Sequence, residues 1–308
     1  HMLTGRTLPR RDGQPHPHLQ KPVDAAWIAS RVGRTLGSGH RITRHLASGG
    51  MAQVFVVEHV QLGSYAVLKQ ARPDQPSAAA CLALEAELLA RVDHPNIVKL
   101  IDFAATGSDG SYLLLEYVDG IELSTWLEIA GALPIAQSLG VLRQLAAALD
   151  YLHARGIVHG DVKPANVLFD TLKTEGANVK LIDFGVAFLD ATHGEQREFT
   201  GTLAYTAPEQ CRGHACGAAV DVYGLAALAY EVLTGHLICE YPTREAALQA
   251  TLSTSSSLVQ SFSLARLCAV LRTGLEEAPE ARFETAAQLV SELERALHPP
   301  TAARANLR

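Results

Sequence analysis

Apolar and polar positions change their rhythm once along this chain. Over residues 40–46, 54–60 and 65–70 apolar residues alternate with polar ones or run together, and glycine-containing turns separate the segments, as in strands joined by tight connections. Residues 77–92 are rich in Ala, Leu and Glu at helical spacing, and residues 98–104 and 112–118 read as strands flanking the turn Gly107-Ser108-Asp109-Gly110. Beyond residue 120 the pattern is mainly helical. One long helix is expected from Pro134, which suits a first helical position, to just before Gly156, which suits a C-terminal cap. Further helices are expected near 218–234, 243–252, 262–274 and 284–297, and no internal repeat is present. Residues 1–38, rich in Pro, Gly, Arg and His, read as a flexible tail with a short helix near residues 24–30; residues 299–308, opened by Pro299-Pro300, read as a second tail. A small sheet-rich lobe followed by a larger helical lobe is the predicted organisation.

Length and composition agree with two lobes. The 308 residues lie just beyond the size, roughly 250–300 residues, at which single cores stop growing, and a cleft between lobes is a common ligand site. Lys plus Arg number 26 against 32 Asp plus Glu, and the resulting net charge of −6 is too weak and of the wrong sign for a nucleic-acid binder. An apolar fraction of 48% excludes wholesale disorder. Five cysteines, an odd number without a C-x-x-C pair, point to reduced thiols and a cytoplasmic location; Cys211, His214 and Cys216 are only a weak hint of metal. No secretory signal is visible, and no uncharged apolar run approaches the ~20 residues that span a bilayer. The opening His-Met reads as an expression remnant, so a longer natural chain is expected.

Four polar groupings carry candidate chemistry. Ala47-Ser48-Gly49-Gly50-Met51-Ala52 lies between two strand patterns, where glycines let backbone N–H groups approach a phosphate; a plain hairpin turn explains it equally well. Lys69 ends the strand Tyr65-Ala66-Val67-Leu68, and by itself reads as an edge lysine in solvent. Glu85 shares the apolar helical face of Cys81, Leu82, Leu88 and Leu89, so it needs a cationic partner, for which Lys69 is available. Glu87 instead pairs with Arg91 on the wet side. Finally, His159-Gly160-Asp161-Val162-Lys163-Pro164-Ala165-Asn166 and Asp183-Phe184-Gly185 gather oxygens suited to Mg²⁺ and a carboxylate able to act as a base; the bland alternative is an Asx-rich turn.

In this order and spacing the groupings resemble the signature set of protein kinases over about residues 40–297, and in particular the bacterial eukaryotic-like (Hanks-type) Ser/Thr kinases, whose Gly-Gly-Met turn stands here as Gly49-Gly50-Met51. The resemblance implies an α+β bilobal fold: a small antiparallel-sheet lobe with one main helix (39–118) and a larger, mostly helical lobe (119–298), between tails 1–38 and 299–308. It implies ATP and Mg²⁺ as cofactors, protein Ser/Thr hydroxyls as substrates, autophosphorylation, and self-association through the small lobe, as some members show. By the same resemblance Lys69 holds the α- and β-phosphates, oriented by Glu85, under the turn of Ala47, Ser48, Gly49 and Gly50. Leu115 is the gatekeeper, Glu116 and Val118 form the adenine-binding hinge, Val54, Ala66 and Leu168 sandwich the adenine, and Glu122 touches ribose. Asp161 is the catalytic base, Lys163 steadies the γ-phosphoryl group, and Asn166 and Asp183 hold Mg²⁺. Thr202, after Gly201, docks substrate beside Asp161 and Lys163. Glu209 of Ala207-Pro208-Glu209 pairs with a buried Arg282, and Asp221 anchors the catalytic-loop backbone.

Three departures from the family pattern matter. Only the middle glycine of G-x-G-x-x-G remains, with Ala47 and Ala52 at the flanks. The expected result is looser nucleotide binding or a less mobile loop, with Ala47→Gly plus Ala52→Gly lowering the KM for ATP. Gly160 replaces the arginine of His-Arg-Asp, which commonly receives the activation-loop phosphate, so activation independent of phosphorylation at Thr192 or Thr200 is expected. Ala165 replaces an acidic residue of some basophilic members, removing one reason to expect arginine near the target. Two other functions compete: a small-molecule phosphotransferase, since His-Gly-Asp occurs in the aminoglycoside-kinase branch, and a non-enzymatic ATP-binding scaffold. Lys163-Pro164, Ala-Pro-Glu and Gly-Thr weigh against the former, and the presence together of Lys69, Glu85, Asp161, Asn166 and Asp183 weighs against the latter.

Overall fold

The computed structural model describes residues 25–107, 109–169, 178–189, 203–240, 243–244, 246–249 and 261–297. Five strands build the small lobe: β1 (His40–Ser48), β2 (Ala52–His59), β3 (Tyr65–Ala71), β4 (Leu100–Ala104) and β5 (Tyr112–Glu116), antiparallel throughout in the order β1-β2-β3-β5-β4. Register fixes which side chains share a face, because successive residues of a strand point to opposite sides. Val54 lies opposite Lys69 and Val56 opposite Val67 on one side of β3; Leu113 and Leu115 lie opposite the same two residues on the other. Helix α2 (Ala78–Leu89) packs against β3, β4 and β5 and buries Leu82, Glu85, Ala86, Leu88 and Leu89.

Phe55, Val57, Ala66, Leu68, Tyr112 and Leu114 point to the opposite, outer face, where they form a second apolar cluster with Leu36 and Ile42. Bare apolar area of this kind costs about 25 cal/mol per Å² in water. Helix α1 (Ala25–Arg31) covers it with Trp27 and Ile28. Arg31 is buried and donates from Nε to Gln70 Oε1 at 3.0 Å and from Nη2 to the Asp109 carbonyl at 3.2 Å. Gly37 N–H donates to Asp109 Oδ2 at 3.1 Å. The expectation of a flexible tail reaching residue 38 is therefore corrected for residues 25–38, of which the short helix had been foreseen. Polar composition masked a single Trp-Ile pair that the outer sheet face requires.

The large lobe contains α3 (Leu123–Ala130), α4 (Ile135–His153), α5 (Pro208–Cys211), α6 (Ala219–Thr234), α7 (Ser261–Gly274) and α8 (Ala286–Leu297). Pro134 is the cap before α4 rather than its first residue. Helix α3 had not been foreseen, and the helix expected over 243–252 passes outside the described residues after 249. Helix α4 packs on α6 and α8, and α6 is buried continuously from Val220 to Tyr230, which is why its sequence shows no one-sided stripe. Asp150 on α4 accepts from Ala286 and Ala287 N–H at 2.9 and 3.0 Å, satisfying the first turn of α8. Short strands β6 (Ile121–Glu122), β8 (Val167–Phe169) and β9 (Val179–Leu181) form one sheet below the lobe junction, and β7 (Ile157–Val158) pairs with β10 (Phe188–Leu189). The α+β, two-lobed organisation expected from the chain is the one observed.

Candidate active site

Strand β3 and helix α2 aim opposite charges at each other. Lys69 Nζ donates to Glu85 Oε1 and Oε2 at 2.9 and 2.7 Å and to Asp183 Oδ1 at 2.7 Å. Burial works against the Lys69 ammonium, but the Asp183 and Glu85 carboxylates outweigh it and raise its pKa. Burial pushes the Glu85 carboxyl up, an effect the Lys69 charge opposes. Glu85 Oε1 also accepts from Phe184 N–H at 3.3 Å. Glu87 points to solvent and pairs with Arg91, so the two glutamates divide as the helical period requires.

Asp183 is the only described non-glycine residue with positive φ, at 63°. That uncommon conformation brings its carboxylate to Lys69 and to Gly185 N–H, at 3.2 Å. Desolvation would raise its pKa, yet the Lys69 charge and hydrogen bond and the Gly185 N–H hold it at about 2. A Cβ on Gly185 would lie 3.1 Å from Asp183 Oδ1 and 3.6 Å from Lys69 Nζ, so a side chain there would push the Asp183 carboxylate by a few tenths of an ångström. Phe184 is buried with its ring edge-on to His159, centroids 4.9 Å apart.

In the catalytic-loop candidate, Lys163 Nζ and Asn166 Nδ2 both donate to Asp161 Oδ2, at 2.6 and 2.9 Å, and Asn166 Nδ2 also reaches the Asp161 carbonyl. Among the described residues none donates to Asp161 Oδ1. Asp221, deep in α6, accepts from His159 N–H at 2.9 Å and Gly160 N–H at 2.8 Å, and lies 2.8 Å from His153 Nε2. Burial would raise the Asp221 carboxyl; the His153 hydrogen bond and the surrounding donors and charges hold it below the ordinary range instead. Gly160 has φ 76°, and a Cβ there would lie 3.3 Å from Phe188 Cε1.

The β1–β2 turn carries Ala47, Ser48, Gly49 and Gly50, all exposed. Gly49 N–H donates to the Ala52 carbonyl at 2.8 Å, Ser48 Oγ to Gln53 Oε1 at 2.7 Å, and Arg72 Nη1 to the Gly49 carbonyl at 3.3 Å. Neither Ala47 nor Ala52 has positive φ. Leu115 is buried facing Val67, and Val118 is half-buried in the connection to the large lobe. Glu116 directs its side chain away into a staple: Oε1 accepts from Lys99 N–H at 2.8 Å and Lys180 Nζ at 2.5 Å. Glu122 is exposed and lies across from Leu168 in the β6–β8 pair.

One assignment is corrected. Ala66 belongs to the outer cluster with Leu68 and Phe55, on the face away from Lys69. Strand alternation puts Val67, not Ala66, on the face that Lys69 shares. The expected Glu209–Arg282 pair is present, with Nη1–Oε1 and Nη2–Oε2 distances of 2.6 and 2.7 Å. Sequence reading missed His153, Arg72 and Gln210, none of which lies in a recognisable motif except by adjacency to Glu209. Gly201, Thr202, Thr192 and Thr200 lie outside the described residues. No group of three metal-ligating side chains occurs among the described residues; Cys216 donates to the His214 carbonyl, and burial pushes its thiol up to about 11. No described helix is long and apolar enough to cross a membrane.

Residues 40–294 match the protein kinase domain family. The chain is 34% identical over 302 residues to the serine/threonine-protein kinase Pkn1 of Myxococcus xanthus, covering 94% of this chain and 42% of that protein. It is 36% identical over 217 residues to the serine/threonine-protein kinase PknA of Mycobacterium tuberculosis, covering 68% of this chain and 49% of that one. It thus spans less than half the length of either relative. The solved kinase domain of PknI of Mycobacterium tuberculosis superposes with a TM-score of 0.61 at 26% identity, over 86% of this chain and 98% of that one.

Proposed function

The chain belongs to the protein kinase family, in its bacterial serine/threonine branch, and on that premise we propose that it transfers the γ-phosphoryl group of ATP to Ser and Thr hydroxyls of proteins, itself included. The observation that carries this reading is the presence of two hydrogen-bonded charge clusters, Lys69–Glu85–Asp183 and Lys163–Asp161–Asn166, whose segments are tied by the Ile182 N–H to Asn166 carbonyl bond at 2.9 Å. Glu85 and Asp183 fix the Lys69 ammonium where it neutralises the α- and β-phosphates. Asp161 accepts the substrate hydroxyl proton as the new O–P bond forms and the bond to the ADP oxygen breaks. Lys163 orients Asp161 and balances charge on the moving phosphoryl oxygens, the main demand of this reaction.

The donors fit a hard divalent cation. Asn166 commits its amide nitrogen to Asp161, which leaves its amide oxygen, and Asp183 is ionised near neutral pH with a carboxylate oxygen beyond the one on Lys69. Mg²⁺ held by these two residues would neutralise and align the phosphates. The adenine lies against Val54, Val67, Leu115 and Leu168, with hinge backbone at Glu116 and Val118 and ribose near Glu122.

Activation is proposed to need no phosphate–arginine contact, since Gly160 has no side chain to supply one. We place the catalytic unit from the capping helix at residue 25 to residue 298, with the lobes dividing after residue 118. Incubation with labelled ATP and Mg²⁺, beside Asp161→Asn and Lys69→Met, followed by mass-spectrometric site mapping, tests this. Phosphoserine or phosphothreonine lost in both variants is the expected outcome. Turnover of a sugar or antibiotic without protein labelling, or ATP binding without any transfer, would overturn it. Retained activity in Thr200→Ala is the expected result for the activation claim.

A further inference from the structure

Gln210 stands one residue beyond Glu209 in the four-residue helix α5, and its side-chain amide spans two segments. Its Oε1 accepts from Ala207 N–H at 3.0 Å, and its Nε2 donates to the Gly160 carbonyl at 2.8 Å. The first bond closes the end of the activation segment; the second reaches the peptide group that immediately precedes Asp161. That peptide is a weak point. Gly160 is at φ 76°, and glycine moves among backbone conformations more readily than any other residue. Asp221 fixes the N–H of Gly160 from below, at 2.8 Å, and the Asp161 N–H of the following peptide donates to His159 Nδ1 at 3.2 Å, but neither contact holds that peptide plane from its carbonyl side. Gln210 does so, from a helix whose own position is set by the buried pairing of Glu209 with Arg282. On the other side a Cβ on Gly160 would lie 3.3 Å from Phe188 Cε1 of β10, so Phe188 and Gln210 approach this residue from two sides.

We propose that Gln210 is a positioning residue for the phosphoryl-transfer reaction, fixing the orientation of Asp161 through the Gly160 carbonyl and so tying the catalytic base to the activation-segment anchor through a neutral hydrogen bond. The inference rests on the kinase reading, and its tests separate the two.

Gln210→Ala removes both bonds. Gln210→Glu keeps the acceptor toward Ala207 N–H but sets a carboxylate against the Gly160 carbonyl, so it isolates the second bond. With a phosphorylatable protein and Mg-ATP, both variants are expected to lose roughly tenfold or more in kcat, the scale of small misplacements of a reacting group, with KM for ATP within about twofold of wild type. Amide hydrogen exchange over residues 159–166 is expected to quicken in both, while the rest of the large lobe keeps its protection. Unchanged kcat in Gln210→Glu, unchanged exchange over 159–166, or a loss matched by a rise in KM for ATP and a general loss of protection would overturn the proposal. Wild-type transfer reports on the kinase reading, whereas the exchange difference between variant and wild type reports on Gln210 even without turnover.

Discussion

Single backbone angles decide much of this site. Asp183 takes an uncommon positive φ that brings its carboxylate to Lys69 and the Gly185 N–H, and Gly160 takes one that only glycine adopts at little cost. Gly160→Arg, which restores the arginine common in the family, is therefore expected to lower stability by about 1–2 kcal/mol from backbone strain alone, with a further cost from crowding Phe188. Thermal melts check this, and an arginine variant as stable as wild type would refute the strain argument. The alanines of the turn behave differently. Because Ala47 and Ala52 sit at ordinary φ, no strain exists for glycine to relieve, and the expected gain in ATP affinity loses its basis. Ala52 is 3% exposed, so Ala52→Gly should instead cost about 1 kcal/mol through its lost methyl and added backbone freedom. ATP titration of the double variant should give an unchanged or higher KM. Lys69→Met should abolish transfer and also lower stability, because it leaves Glu85 a buried, unpaired carboxylate.

At the scale of elements, α2 shows how a periodic pattern discloses chemistry. A glutamate on the apolar face demanded a cation, and the strand lysine supplied it; the same period sent Glu87 to Arg91 and water. The charged groups of the cleft were legible for this reason: polar residues inside apolar runs need a partner. Ala66 was misplaced although the period of β3 separates it from Lys69, three positions on, and pairs Val67 with Lys69 instead. Long-range hydrogen bonds left no such trace. His153 and Gln210 contact residues 68 and 50 positions away, and no local pattern marks either side chain. Helix α1 was legible as a short helix but its packing on the sheet was not, and that packing makes a direct prediction. Trp27→Ala should uncover the outer cluster and lower the melting temperature by several degrees, the consequence of losing roughly 1–3 kcal/mol of buried aromatic area. A melt within 1 °C of wild type, roughly the scale of a negligible change, would mean the helix is dispensable.

At the scale of the whole molecule, acid should act on the site before it acts on the core. Asp183 and Asp221 have native pKa values below their unfolded ones, so each contributes stability that is present above about pH 4 and is lost as pH falls through the native value, about 2 for Asp183. Glu85 runs the other way, since burial raises it. Melting temperature measured from pH 5 downward should therefore fall, and Asp221→Asn should flatten part of that fall; an identical slope would remove Asp221 from the account. The small lobe has a mechanical counterpart to this electrostatics. With α1 on one face and α2 on the other, its sheet is the middle layer of three, held as plywood is held by its outer plies. Bending is then concentrated where neither helix reaches, at the exposed tip of the β1–β2 hairpin. The turn from Ala47 to Gly50 is then expected to flex more than Lys69, which the clamped strand beside it holds at a fixed aim.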